Sequence, residues 1–218
     1  FSSELAQEIK NIQKEIDQFV VEALFTTVTN VNFDPASLEK WIIKAGQVMN
    51  QAKALYAQAC QKEGKTPESL TEPAGWTAPV NREDMLQQAQ AISVTKRLDQ
   101  HGDDIAGLQE LVLYGLKGMA AYADHARVLG IEDSEVYTFF HEALDFLTEP
   151  EGSTVDTLVP MAMRVGEINL KVMAMLDQAN TSAYGHPEPT EVRVSPVEGK
   201  ALLVSGHDLK DLDLLLQQ

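Results

Sequence analysis

Apolar residues recur every three or four positions through most of the chain, and this spacing constrains the fold more than any other feature. In the first segment the repeating residues are Leu5, Ile9, Ile12, Ile16, Phe19 and Val20. An α-helix has 3.6 residues per turn, so this spacing places them all on one face. Five further segments before residue 180 carry the same pattern. The sequence therefore predicts six amphipathic helices and a mainly α fold.

Capping residues mark where the predicted helices begin and end. Asp34 can accept hydrogen bonds from free amides of a first turn, and Pro35 suits the first helical position. Gly64 ends this second helix. The remaining predicted helices run from Asn81 to His101-Gly102, from about Asp103 to Gly130, from Ser134, and from Ser153 or Thr154, with Pro160 in the first two turns or at a kink. Residues 65–80 are rich in proline and are predicted to be a loop between subdomains.

The pattern of residue types changes after residue 180. Glu191–Val194 alternates as a strand does, and Ala201–Ser205 is a short apolar run typical of a buried strand. Gly206 permits a tight turn, after which a leucine-rich helix begins at His207-Asp208. Such a strand–turn–helix is the start of an α/β (Rossmann-like) domain, which needs further strands. We therefore expect the chain, which begins with Phe1 instead of Met, to be a fragment of a larger protein.

Charge and cysteine content exclude several classes of function. The formal net charge of −16 disfavours nucleic acid and anionic membranes as partners. The sequence has no signal peptide and no apolar run long enough to span a bilayer. Cys60 is the single cysteine, so no internal disulfide can form and a cytoplasmic location is expected. One cysteine is also too few to hold an iron–sulfur cluster or a structural zinc.

His207 is the best candidate for chemistry. It follows a predicted strand at the carboxyl end, where α/β folds place ligands, and imidazole is a common ligand of iron and zinc. The pattern leaves a second interpretation open, in which His207 only stabilises the turn. Asp208 is predicted to cap the following helix.

The other histidines are predicted to be structural. A carboxylate-bridged di-iron bundle needs Glu three residues before His, and no histidine here has it. His125 lies inside an amphipathic helix, and His141 is spaced for a surface pair with Asp145. His186 belongs to a turn.

Four motifs make the sequence similar to the hybrid-cluster proteins, also called hydroxylamine reductases or prismane proteins. They are Asn30-Val-Asn-Phe-Asp34, the run from Tyr114-Gly-Leu-Lys-Gly to Leu129-Gly130, Tyr184-Gly-His-Pro187, and Ser205-Gly-His-Asp-Leu-Lys-Asp211. They occur in order over nearly the whole chain, and the last two and the Gly-Leu-Lys-Gly stretch are quite specific.

The resemblance implies a fold of two three-helix bundles, here residues 1–180 split near 65–80, followed in residues 181–218 by a linker and the first strand and helix of a truncated α/β domain. It implies a cytoplasmic oxidoreductase that reduces hydroxylamine to ammonia and water, or handles nitric oxide. The family carries a cubane cluster on N-terminal cysteines and an iron–sulfur–oxygen hybrid cluster on His, Glu and Cys ligands. His207 matches the histidine ligand of the hybrid cluster.

This chain departs from the family pattern in its cysteines. The N-terminal cysteine motif and the downstream Glu and Cys ligands are absent, and Cys60 matches no family ligand. We therefore expect the chain alone to be inactive and to bind neither cluster. Its implied partners are the rest of the parent protein, the small-molecule substrate and an electron donor. Two alternatives are a non-catalytic helical scaffold without clusters and pairing of an exposed strand at 201–205 with another chain.

Overall fold

The computed structural model describes residues 3–28, 34–148, 153–206 and 208–218. In this part of the chain seven helices form and no strand does, which confirms the mainly α fold. The helices are α1 (Ser3–Thr26), α2 (Pro35–Lys62), α3 (Arg82–Ala91), α4 (Val94–Val128), α5 (Ser134–Thr148), α6 (Val155–Tyr184) and α7 (Leu209–Leu216).

The predicted caps of α2 are confirmed. The Asp34 carboxylate accepts hydrogen bonds from the backbone N–H groups of Ala36 at 3.0 Å and Ser37 at 3.3 Å. Pro35 occupies the first helical position. At the other end Gly64 adopts a φ of +67°, a left-handed conformation that favours glycine.

The third helix predicted from Asn81 to His101-Gly102 is divided into two pieces, whereas the break predicted at Gly102 is confirmed. α3 ends at Ala91, and Ser93 caps a new helix by accepting a hydrogen bond from the N–H of Lys96. This helix meets the rest of α4 at a kink, where Gly102 has the non-helical values φ 77° and ψ 170°, so the helix is interrupted at the predicted position. Local sequence indicates the Ser93 cap only weakly, because Val94 to Arg97 carries too few apolar residues for a clear helical stripe.

The hydrophobic core lies between α1, α4, α5 and α6. Its largest fully buried side chains include Leu116, Met119, Phe139, Phe140 and Val172. Val21 brings α1 into the same cluster. α2 packs on the outer side of α1, where the rings of Phe19 and Trp41 are 5.6 Å apart. The division into two three-helix bundles stays a prediction.

Helices α4 and α6 run parallel and touch closely. Gln109 Nε2 donates a hydrogen bond to Ser153 Oγ at 3.1 Å, just before α6 begins. Farther along, a Cβ on Gly115 would lie 2.6 Å from Cγ1 of Val165. Only glycine permits this approach, which explains one of the interior glycines of α4.

The strands predicted at 191–194 and 201–205 do not form. Both segments are irregular, and the side chains of Leu202 and Leu203 are almost fully exposed. A strand is stable only when its backbone groups pair with another strand, and the described residues offer none. The beginning of an α/β domain is therefore not shown, although the predicted helix α7 forms. None of the described helices combines the length and the apolar character needed to cross a membrane.

Candidate functional site

Gly206 and Asp208 flank the predicted ligand and are the described residues nearest to it in sequence. His207 itself lies outside the described residues. On one side of it Gly206 has φ +150°, which favours glycine. On the other side Asp208 is the N-cap of α7, where its carboxylate accepts a hydrogen bond from the N–H of Lys210 at 3.3 Å. The predicted capping role of Asp208 is thus confirmed.

Asp208 also joins α7 to the helical core. Its Oδ2 lies 3.5 Å from Nε2 of His125, in the last turn of α4. The Phe25 ring at the end of α1 meets the His125 ring edge to face, with centroids 5.3 Å apart. The imidazole of His125 is therefore held between Phe25 of α1 and Asp208. This contact holds Asp208, the residue directly after His207, against the ends of α1 and α4.

The role of His125 was missed by sequence reasoning. Its position in the last turn of a helix is itself a signal, because a cation there complements the negative end of the helix dipole. The partner could not be predicted, since 83 positions separate His125 from Asp208 and residues 185–206 lack regular structure.

Arg127 secures the same end of the core. Its guanidinium contacts Asp124 Oδ1 at 2.6 Å and Glu22 Oε1 at 3.0 Å, which links α4 to α1. Burial favours the neutral form of the guanidinium, but hydrogen bonding to Asp124 and the charges of both carboxylates outweigh it and raise the pKa of Arg127. Arg127 therefore stays charged and holds the two helices that surround His125.

His141 pairs differently from the sequence prediction. Its Nε2 lies 2.7 Å from Oδ1 of Asp17 on α1, and Asp145 is not its partner. The tertiary contact prevails because α1 packs beside α5 at this position. An open groove of about 440 Å³ begins next to His141 and runs between α1 and α2. The groove is mainly apolar, with Ile12 and Leu55 among its lining residues, and it offers no cluster of chemically active groups.

The residues that could bind a metal are dispersed. Within residues 3–28, 34–148, 153–206 and 208–218, no three His, Cys, Asp or Glu side chains come together as a metal site. Cys60 is partly buried on α2, and His186 is exposed after α6. The described residues therefore do not fit either iron–sulfur cluster, and no chemical step can be assigned to such a group here.

Comparison with known proteins identifies the family. The sequence matches the Prismane/CO dehydrogenase family over residues 2–218. It is also similar to a protein of Rhodospirillum rubrum named hydroxylamine reductase, with 48% identity over 204 residues. That match covers 94% of this chain and 37% of the relative, so the chain spans little more than a third of the relative's length. The chain belongs to the Prismane/CO dehydrogenase family.

Proposed function

We propose that this chain is the helical part of an oxidoreductase that reduces hydroxylamine to ammonia and water. The observation that carries the proposal is the 48% identity, over 94% of the chain, to the protein named hydroxylamine reductase. The reaction breaks the N–O bond and consumes two electrons and two protons. Nitric oxide is a second candidate substrate of the same redox type.

The proposed iron–sulfur–oxygen hybrid cluster belongs to the longer protein. His207 is the proposed ligand that this chain contributes, and the cluster would supply the electron transfer and the open iron position. The rest of the parent polypeptide would provide the Cys and Glu ligands, a cubane cluster and the contact with an electron donor. What this chain's described residues support is the positioning of Asp208, the residue after the proposed ligand, because Asp208 caps α7 and contacts His125.

A non-catalytic helical scaffold is the second candidate function. The specific observation that favours it is the lack of any metal-binding group of three side chains in the described part of the chain. A scaffold would retain the helical core and the family resemblance while binding no iron. The two candidates differ in the iron content of the complete polypeptide.

The deciding experiment uses the longer polypeptide that contains this sequence, purified without oxygen. We expect bound iron and acid-labile sulfide, and reduction of hydroxylamine with a chemical electron donor. His207→Ala should remove the hybrid-cluster signal in electron paramagnetic resonance and nearly all of the activity. His186→Ala, at an exposed histidine nearby in sequence, is the matched control and should change neither.

Three results would contradict the proposal. The longer polypeptide could lack iron, which would favour the scaffold. His207→Ala could retain full activity, which would remove His207 from the site. Stoichiometric iron and sulfide in the 218-residue chain alone would show that the chain needs no further ligands.

A further inference from the structure

Helices α4 and α6 each expose a continuous apolar stripe. On α4 the stripe runs at spacings of three and four through the exposed residues Leu111, Tyr114 and Tyr122 and the half-buried Gly118. On α6 it runs through Val159, Met163, Gly166 and Leu170. Met163 is 67% exposed and Leu170 is 69% exposed, although surface positions in the middle of a helix are normally polar. We call these eight residues the α4/α6 face.

The two stripes lie on the same side of the molecule. The helices are parallel and touch at Gly115 and Val165. Successive residues of a helix are about 100° apart around its axis. The residue before the contact on one helix, Tyr114, and the residue after it on the other, Gly166, therefore point to the same side. The α4/α6 face is one surface, with the helix contact along its middle.

Two glycines within this face have no role inside the molecule. Apart from the adjacent residues and the backbone of the same helix, no atom lies within 4 Å of the position that a Cβ would take on Gly118 or Gly166, and neither has a positive φ. Glycine destabilises a helix interior, so its presence here needs a reason. Gly115, by contrast, is explained by Val165. Glycine on an exposed apolar face permits the backbone of another element to come close.

We propose that the α4/α6 face is the docking surface for a further domain of the same, longer polypeptide. The proposal rests on the proposed function for one premise, that this chain is part of a longer protein. The chain spans only 37% of the relative's length, so most of such a protein lies elsewhere. The α4 stripe also leads, one turn beyond Tyr122, to His125, which contacts Asp208 at the start of α7. The surface is therefore continuous with the segment that holds the proposed ligand.

The charge of the molecule favours this occupant over a second copy. Each chain has a net charge of −16, so two copies repel each other. Asp156, Glu167 and Asp177 flank the α6 stripe, and a symmetric dimer through this face would bring such acidic margins together. The docking element should be apolar in its centre and basic at the edge that meets α6, whereas the α4 edge carries Lys117, whose Nζ lies 4.8 Å from the centre of the Tyr114 ring.

Hydroxyl-radical footprinting tests the proposal on unmodified protein. Tyr114 and Met163 should be oxidised rapidly in the 218-residue chain. In the longer polypeptide their oxidation should slow by about an order of magnitude, because the centre of an interface excludes water. Leu86 on α3 is 59% exposed and outside the face, so it should react equally in both proteins. Equal rates for Tyr114 and Met163 in the two proteins would overturn the proposal.

Gly118→Leu provides an independent test. In the 218-residue chain it should leave the melting temperature unchanged or raise it by about 2 to 4 °C, because leucine is the better helix former. In the longer polypeptide it should lower the melting temperature, because the side chain would block the approach of the docked domain. The same effect in both proteins would contradict the proposal. The 218-residue chain could also dimerise as its concentration rises. If Gly118→Leu abolished that dimer, the occupant would be a second copy and the proposal would be overturned.

These readouts do not depend on iron or on hydroxylamine. Protection of the face in a longer polypeptide without iron would refute the proposed function and leave the docking surface standing. Full hydroxylamine reduction by a longer polypeptide whose α4/α6 face is unprotected would support the proposed function and refute the docking surface.

Discussion

At the residue scale, single carboxylates fix the ends of helices to the core. Asp208 caps α7 through the N–H of Lys210 and contacts His125 with its other oxygen. Asp133 acts in the same way before α5. Its Oδ1 accepts a hydrogen bond from the N–H of Glu135 at 2.8 Å, and its Oδ2 lies 2.7 Å from Nζ of Lys171 on α6. Each residue combines a local cap with a tertiary contact.

Two substitutions separate the roles of Asp208. Asp208→Ala removes both the cap and the contact with His125, and should destabilise α7 by about 1 kcal/mol. Asp208→Asn retains a capping oxygen, so only the His125 contact weakens, which at this exposure contributes about 0.5 kcal/mol or less. Amide hydrogen exchange over residues 209–216 measures both. Equal acceleration of exchange in the two variants would show that the cap is unimportant.

The pH dependence of stability should include a contribution from Asp133. The hydrogen bond from Lys171 lowers the pKa of Asp133 below its ordinary value of 3.8, against the opposing effect of burial. A group with a lowered pKa stabilises the folded state fully above its unfolded pKa. This contribution should therefore fade as the pH falls below 3.8 and through the folded pKa.

Asp133→Asn is the variant that tests this dependence. Denaturant unfolding at a series of pH values should show a shallower acid decline in Asp133→Asn than in the parent chain. Glu142→Gln, at a more exposed ion pair with Arg164 between α5 and α6, is the control for general charge effects. An unchanged acid slope in Asp133→Asn would contradict the assignment.

At the element scale, α4 is the organising helix. It contacts α1, α5 and α6, and it carries both the kink at Gly102 and the close contact at Gly115. Its glycines therefore have different physical reasons. Gly102 has a backbone conformation that other residues avoid, whereas Gly107 lies in regular helix with open space around it.

Alanine at these two positions should have opposite effects. Gly102→Ala should destabilise the chain by about 1 to 3 kcal/mol, because φ 77° with ψ 170° is essentially restricted to glycine. Gly107→Ala should stabilise it by up to about 1 kcal/mol, because alanine is the better helix former. Thermal unfolding followed by circular dichroism measures both. Stabilisation by Gly102→Ala would mean that the kink is not required.

At the scale of the whole molecule, the contact of α4 with α6 holds the core together. Val165 is 5% exposed and β-branched, so it has little freedom to move away from a new Cβ on Gly115. The parallel arrangement of these helices also creates the α4/α6 face. Stability of the core and availability of the docking surface therefore depend on the same contact.

Gly115→Ala should destabilise the chain by about 1 to 3 kcal/mol through overpacking. The double variant Gly115→Ala/Val165→Ala should show a favourable coupling, because shortening Val165 removes the clash. Denaturant unfolding of the two single variants and the double variant completes the cycle. Strictly additive effects would show that the two residues do not compete for space.

The order of amino acids was sufficient to predict the helices, because apolar spacing and caps such as Asp34 and Asn81 act within a few residues. It also indicated the family and the start of α7 at Asp208. The predicted strand at 201–205 failed because a strand depends on a partner elsewhere in the chain. The pairings of His125 with Asp208 and of His141 with Asp17 join residues 83 and 124 positions apart. Only the packing of α1, α4 and α5 brings those side chains together, and a local sequence pattern does not predict that packing.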